Sequence, residues 1–202
     1  MKKLQSSLTN MVVVLVGVAL ITGCLLAYVN HITTAPKEEQ KARTLADGIS
    51  AVMGGGQVEV TANDTVKQTD NGKEVQLVIH RIAGGGAAVE SPTMGFGGEL
   101  RILVGFTPEG AISGYTVLQS AETPGLGAKA ATWFQQGAKG NIIGKNPATP
   151  LKVSKDGGDV DAITASTITS RAFLKAVNQA YAAYAGASAD GHTGATAKAK
   201  KG

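Results

Sequence analysis

Cysteine is almost absent. Cys24 is the only one in 202 residues and lies in an apolar run, which excludes an intramolecular disulfide and a cysteine-based metal cluster. Aromatic residues are scarce too, at 4% against 27 glycines, a balance that suits a loop-rich domain filled by Ala and Val rather than a large aromatic core. The part expected to fold has one histidine, His80, in a strand-like run where a structural role is expected. No catalytic triad, paired acid–base carboxylates or metal-ligand cluster is apparent. No GxGxxG stands between a strand and a helix, so a Rossmann dinucleotide site is not supported. The formal charge of +4 owes part of its size to the ends, at Lys2, Lys3, Lys198, Lys200 and Lys201. A nearly neutral middle argues against nucleic acid as a partner.

Charge of either sign is also missing between Lys3 and Lys37, and residues 11–29 are almost wholly apolar. As a helix those residues span about 28 Å, close to the ~30 Å hydrocarbon thickness of a bilayer. The expected organisation is a cytoplasmic N-terminus (1–10), a single-pass anchor (11–30), a charged amphipathic connector helix (31–56), a folded domain (57–185) and a disordered basic tail (186–202). Lys2 and Lys3 before the anchor keep the N-terminus inside, which puts the domain on the outer, periplasmic side of the cell inner membrane. Two other readings share the stretch: a cleaved signal peptide, and a lipobox at Ile21-Thr22-Gly23-Cys24 with lipidation of Cys24. Pro36 is an expected helix boundary.

After the glycines at 54–56, strand-like runs occupy 58–60, 75–82, 99–106 and 111–118, with glycine clusters at 84–86 and 95–98 between them. The last two runs, joined at Thr107-Pro108-Glu109-Gly110, read as an antiparallel hairpin. Strands first and helices later predict an α+β domain: an antiparallel sheet with flanking helices. Trp133 and Phe134 are expected in the core rather than against a cofactor.

The most informative stretch runs from Asp161 through Thr164, Ala165, Ser166 and Thr167 into an apolar-periodic helix ending near Tyr184. Five of the seven residues from Thr164 to Ser170 carry hydroxyls. A helix start offers free amides at the positive end of the macrodipole, a place where phosphate is held. The same residues also make an ordinary capping turn, with Thr164 or Thr167 as the cap and Asp161 favouring the positive helix end. Upstream, Pro124-Gly125 in the segment from Glu122 to Gly127 marks a turn whose glycines let backbone come close to whatever lies above it.

Both segments resemble one family. Asp161-Ala-Ile-Thr164-Ala165-Ser166-Thr167 resembles the covalent-flavin motif Asp-x-x-Ser/Thr-Gly-Ala-Ser/Thr of the G subunit of Rnf-type electron-transport complexes and of the C subunit of sodium-translocating NADH:quinone reductase. Ala165 stands where glycine is usual and Ser166 where alanine is usual; the first matters if the turn needs a positive φ. Glu122-Thr123-Pro-Gly-Leu126-Gly resembles the loop lining the isoalloxazine pocket in the same family. The resemblance implies FMN joined to Thr167 through a phosphoester, with Asp161, Thr164, Ser166, Glu122, Thr123 and Leu126 as further cofactor-binding residues. It implies an FMN-binding domain in an electron-relay subunit, rather than a stand-alone enzyme, of an ion-translocating ferredoxin/NAD oxidoreductase. The implied partners are neighbouring redox subunits, a flavin transferase and the membrane. The C subunit of the quinone reductase and a membrane-tethered flavin-binding regulatory module are the alternatives. A second match, Asp190-Gly-His-Thr193-Gly-Ala-Thr196, lies in the tail, where no apolar face follows to pack a helix; Thr167 is the expected principal site.

Overall fold

The computed structural model describes residues 8–56, 58–70 and 73–190. The chain divides into two compact units, one up to Thr44 and one from Leu45 onward. The first is helical through its described length, as part of helix α1, Leu8–Val52. Its apolar side chains, among them Leu15, Leu20, Ile21, Leu25 and Leu26, are exposed rather than covered by protein. α1 is the one described helix long and apolar enough to cross a membrane. The expected boundary at Pro36 is absent: the helix is continuous across it. A proline removes one amide donor from the helical ladder. In the preceding turn the hydroxyls of Thr33 and Thr34 donate to the carbonyls of Val29 and Asn30, each at 2.7 Å. Anchor and connector, expected as separate segments, are thus one helix.

The second unit is built on a five-stranded antiparallel meander in the order β1 (Val60–Asp70), β2 (Lys73–Ile82), β3 (Ala87–Met94), β4 (Glu99–Phe106) and β5 (Ile112–Ser120). The β4–β5 hairpin and β2 follow the sequence pattern closely. β1 is much longer than the run at 58–60 that marks its start. Its Thr, Asn, Lys and Gln side chains suit a sheet edge, where exposed and half-buried positions alternate, and they hide it from any hydrophobic pattern. β3 is a strand that the sequence pattern does not announce, because glycines flank it and Pro92 lies within it. Pairing with β2 ends at Val78 opposite Glu90, while pairing with β4 continues through Pro92 opposite Arg101. The missing proline amide therefore costs no bond on the β2 side. Where the two strands part, a cavity of about 570 Å³ opens, lined by Val75, Gln76, Pro92, Met94, Arg101 and Lys175 among others; none of the predicted site residues lines it.

Helix α3, Thr167–Asp190, covers one face of the sheet. Its periodic positions Phe173, Leu174, Ala176, Val177, Ala180 and Ala183 are buried against Leu77, Ile79, Val89, Leu100, Ile102 and Val104. Most of the few aromatics gather here. Phe173 stacks on Phe134 at 4.4 Å and meets Tyr115 edge-on at 4.9 Å, while Phe106 stacks on Tyr184 at 5.2 Å. Phe134, expected in the core, is fully buried. The Tyr115 hydroxyl donates to the Ala130 carbonyl (2.7 Å) and accepts the Phe134 amide (3.1 Å), tying the short helix α2, Ala130–Trp133, to the sheet. Burial pushes the Tyr115 phenol well above its ordinary pKa.

On the opposite face Ile49 and Val52 of α1 pack with Ala88 and Leu103. The fit leaves no room at Gly105, where a Cβ would lie 2.6 Å from the Val52 carbonyl oxygen. Ser113 donates to that same carbonyl at 2.6 Å. Truncating the residue at the middle of the aromatic cluster, Phe173→Ala, is expected to cost about 3–5 kcal/mol. Denaturant titration of the full chain in detergent, followed by tyrosine and tryptophan fluorescence, measures it.

Candidate functional site

The turn before α3 is closed by the Ser166 amide donating to the Ile163 carbonyl at 3.0 Å, with Thr164 and Ala165 as its central residues. Ala165 has φ +61°, the one positive φ outside glycine among the described residues. This is the pattern of a type II turn, which favours glycine at its third position. The glycine of the resembled motif has a physical reason, and alanine carries a left-handed cost of about 1–2 kcal/mol in its place. Ser170 holds the turn from beneath: its hydroxyl accepts the Ile163 amide and donates to the Ser166 carbonyl, both at 2.9 Å. The Ser170 amide also reaches that carbonyl, at 3.0 Å. Ser166, not Thr164 or Thr167, therefore stands in the capping position. Ser166 is buried, Thr164 is exposed and Thr167 is half-exposed at the first helical residue.

The amides of residues 167–169 precede the first bond of the α3 ladder and have no intrahelical acceptor. Lys155 Nζ donates to the Thr167 hydroxyl at 3.4 Å, bringing a cation to the same end. Lys155 belongs to a 3-10 turn, Ser154–Asp156, which is anchored to α3 by both Arg171–Asp156 hydrogen bonds, at 2.7 and 2.6 Å. The Arg171 guanidinium holds the Asp156 carboxyl below its usual range, and Lys145 does the same for Asp159. Asp161 is exposed; its carboxylate accepts from Ser154 at 3.3 Å, and its carbonyl accepts the Trp133 indole N–H at 2.8 Å. Trp133, half-buried, braces the loop.

The second predicted segment meets the first through Glu122. Its side chain is buried, and Oε1 accepts the Phe96 amide (2.8 Å) and the Thr169 hydroxyl (2.9 Å), while Oε2 accepts the Gly97 amide (3.2 Å). A Cβ on Gly95 or Gly127 would overlap the carboxylate. Glu122 thus faces inward, joined to two loops and to the first turn of α3. Thr123 is exposed, and its carbonyl accepts the amides of Leu126 and Ala128, each at 3.2 Å. Leu126 is 42% exposed, Ile168 55% and Phe96 71%. Each of these three exposed apolar residues is on or next in sequence to a residue beside the Glu122 carboxylate.

The family described as FMN-binding domain matches residues 95–182, the span holding every predicted site residue. The G subunit of the Na+-translocating ferredoxin:NAD+ oxidoreductase complex of Acetobacterium woodii is 32% identical over 188 residues, 85% of this chain and 88% of that protein. The chain belongs to the family of G subunits of ion-translocating oxidoreductase complexes. Within that family the Shewanella amazonensis protein is 30% identical over 189 residues, 87% of each chain. The Vibrio parahaemolyticus protein is 37% identical over 120 residues, about half of its length at 52%. A solved structure, the C subunit of the Na+-translocating NADH-quinone reductase of Parabacteroides distasonis, aligns with 15% identity and a TM-score of 0.47, covering 75% of this chain and 95% of that one.

Three features of this family member's site have no clear signal in the sequence. Lys155 belongs to no motif and reaches Thr167 only through the fold. Thr169 looks like one more hydroxyl of the cluster, yet it points inward to Glu122. The loop at Gly95–Gly98 reads as a plain connection; its signal is the glycine density, which makes room for a carboxylate 26 residues away. Of the tail motif, Asp190 ends α3, and residues 191–196, Thr196 among them, lie outside the described residues. His80 is buried between Asn63 (2.7 Å) and Glu90 (3.0 Å) in the sheet. Ala165→Gly is expected to stabilise the protein by about 1 kcal/mol by relieving the left-handed alanine. Chemical denaturation of the two forms side by side measures it.

Proposed function

We propose that this chain is a membrane-anchored flavoprotein subunit that relays electrons within an ion-translocating ferredoxin/NAD oxidoreductase, with FMN joined to Thr167 by a phosphoester through Oγ1. The observation that carries this reading is the position of the Thr167 hydroxyl inside an FMN-binding domain: half-exposed, at the first residue of a long helix, with Lys155 3.4 Å away. A phosphate ester there carries negative charge. The free amides of the first turn, the helix dipole and the Lys155 ammonium all favour it. The residues present fit the group in a second respect, since Leu126 and Ile168 offer exposed apolar surface to a flat ring and Thr123 and Thr164 offer exposed polar groups at its rim.

When bound, FMN supplies the electron-carrying chemistry, and the protein supplies position and electrostatic surroundings. Thr167 would fix one end of the cofactor, Lys155 would neutralise the phosphate, and Thr123 and Leu126 of the 122–127 loop would hold the ring. Asp161 and Ser166 act on the turn rather than on the cofactor: Asp161 holds the turn to Trp133 and Ser154, and Ser166 supplies the first acceptor carbonyl of the helix. A covalent link also suits a domain outside the cytoplasm, where a lost cofactor is hard to replace. The lysines before the apolar run favour the outer side of the membrane for the domain. The partners in this reading are the neighbouring redox subunits and a flavin transferase that makes the ester.

Thr167→Val keeps the side-chain shape and removes the only oxygen able to form the ester. It is expected to abolish covalent flavin while leaving thermal stability nearly unchanged. The check is ultraviolet fluorescence of the denatured band from host membranes; a band as bright as wild type would contradict attachment at Thr167.

A further inference from the structure

We propose that Glu122 is a positioning residue of the flavin site: its carboxylate clamps the 95–98 loop and the 122–127 loop to the first turn of α3, and it sets one fixed negative charge behind the attachment turn, lowering the flavin's reduction potential. Glu122 is the single buried carboxylate among the described residues. Its three partners, the Phe96 amide (2.8 Å), the Gly97 amide (3.2 Å) and the Thr169 hydroxyl (2.9 Å), are all donors. That is the arrangement an ionised carboxylate accepts, since an ionised carboxylate has acceptor sites only. Gly95 and Gly127 each leave the space that a Cβ would take from the Glu122 carboxylate, and a Cβ on Gly97 would meet the Ala121 carbonyl oxygen beside it. Thr169 lies two residues beyond Thr167 in the same helical turn, so the clamp acts at the attachment turn rather than at a distance. No other described contact joins these three segments through one group.

Two consequences separate the clamp from ordinary core packing. Removing a partner of a buried, charge-assisted hydrogen bond frees the others, so the Phe96 and Gly97 amides should open more readily. Removing the charge while keeping the shape should make electron uptake easier, because an added electron no longer meets a fixed negative charge in a poorly screened interior. The second effect rests on flavin being held at Thr167; the first does not.

The test uses the full chain from its own host, with Glu122→Gln, Thr169→Val and Thr169→Ser beside the wild type. Amide hydrogen exchange is measured in a Thr167→Val background, which carries no flavin at that residue. There Glu122→Gln and Thr169→Val are expected to speed exchange at Phe96 and Gly97 by more than about tenfold, and Thr169→Ser to restore the wild-type rate. In the flavin-loaded protein the midpoint potential of Glu122→Gln is expected to move to more positive values, while Thr169→Val, which keeps the charge, does not move that way. Wild-type exchange rates in Thr169→Val would overturn the clamp, and this arm stands even if Glu122→Gln fails to accumulate. An unshifted potential in loaded Glu122→Gln would overturn the charge effect. Wild-type protein without bound flavin would instead refute the flavin reading and leave the clamp to be judged by exchange alone.

Discussion

Glu122, the single buried carboxylate among the described residues, joins the segments that carry the predicted site residues. Glu122 gathers two backbone amides and one hydroxyl from segments far apart in sequence, and each of the three segments it joins also carries an exposed apolar residue, Phe96, Leu126 or Ile168. A buried charge costs several kcal/mol unless its hydrogen bonds are supplied, and here three donors supply them. The glycines around it follow from that demand for space. A helix start with free first-turn amides and Lys155 beside Thr167 is where the proposed attachment would hold a phosphate.

The helix start is built with equal economy. Ala165 takes a left-handed conformation, Ser170 ties the turn from below, and Ser166 supplies the first acceptor carbonyl. The outcome is a threonine hydroxyl released from capping duty. Had Thr167 been the cap, its oxygen would be committed to a backbone amide and less free to act as an ester oxygen. Lys155 and the Arg171–Asp156 pair then add charge and rigidity from a neighbouring turn.

Much of this is legible in the sequence, for identifiable reasons. The apolar N-terminal run, the β4–β5 hairpin and the α3 periodicity are strong local patterns, and the need for a positive φ at residue 165 follows from the glycine in the resembled motif. The remainder depends on tertiary context. β1 is a polar edge strand without a hydrophobic signature. β3 hides behind Pro92, tolerated because its pairing with β2 stops at Glu90, before the proline. The helix continues through Pro36 where local rules end it. Glu122 reads as a cofactor contact because it belongs to a loop motif; only the fold reveals that its side chain points away from solvent, toward Thr169.

The most direct measurement is peptide mass mapping of the protein taken from its own membranes. Trypsin releases residues 156–171 as one peptide and residues 176–198, which hold the tail motif, as another. The account predicts the mass of FMN on the first, localised by fragmentation to Thr167. An unmodified first peptide, or flavin mass only at Thr196, would contradict it.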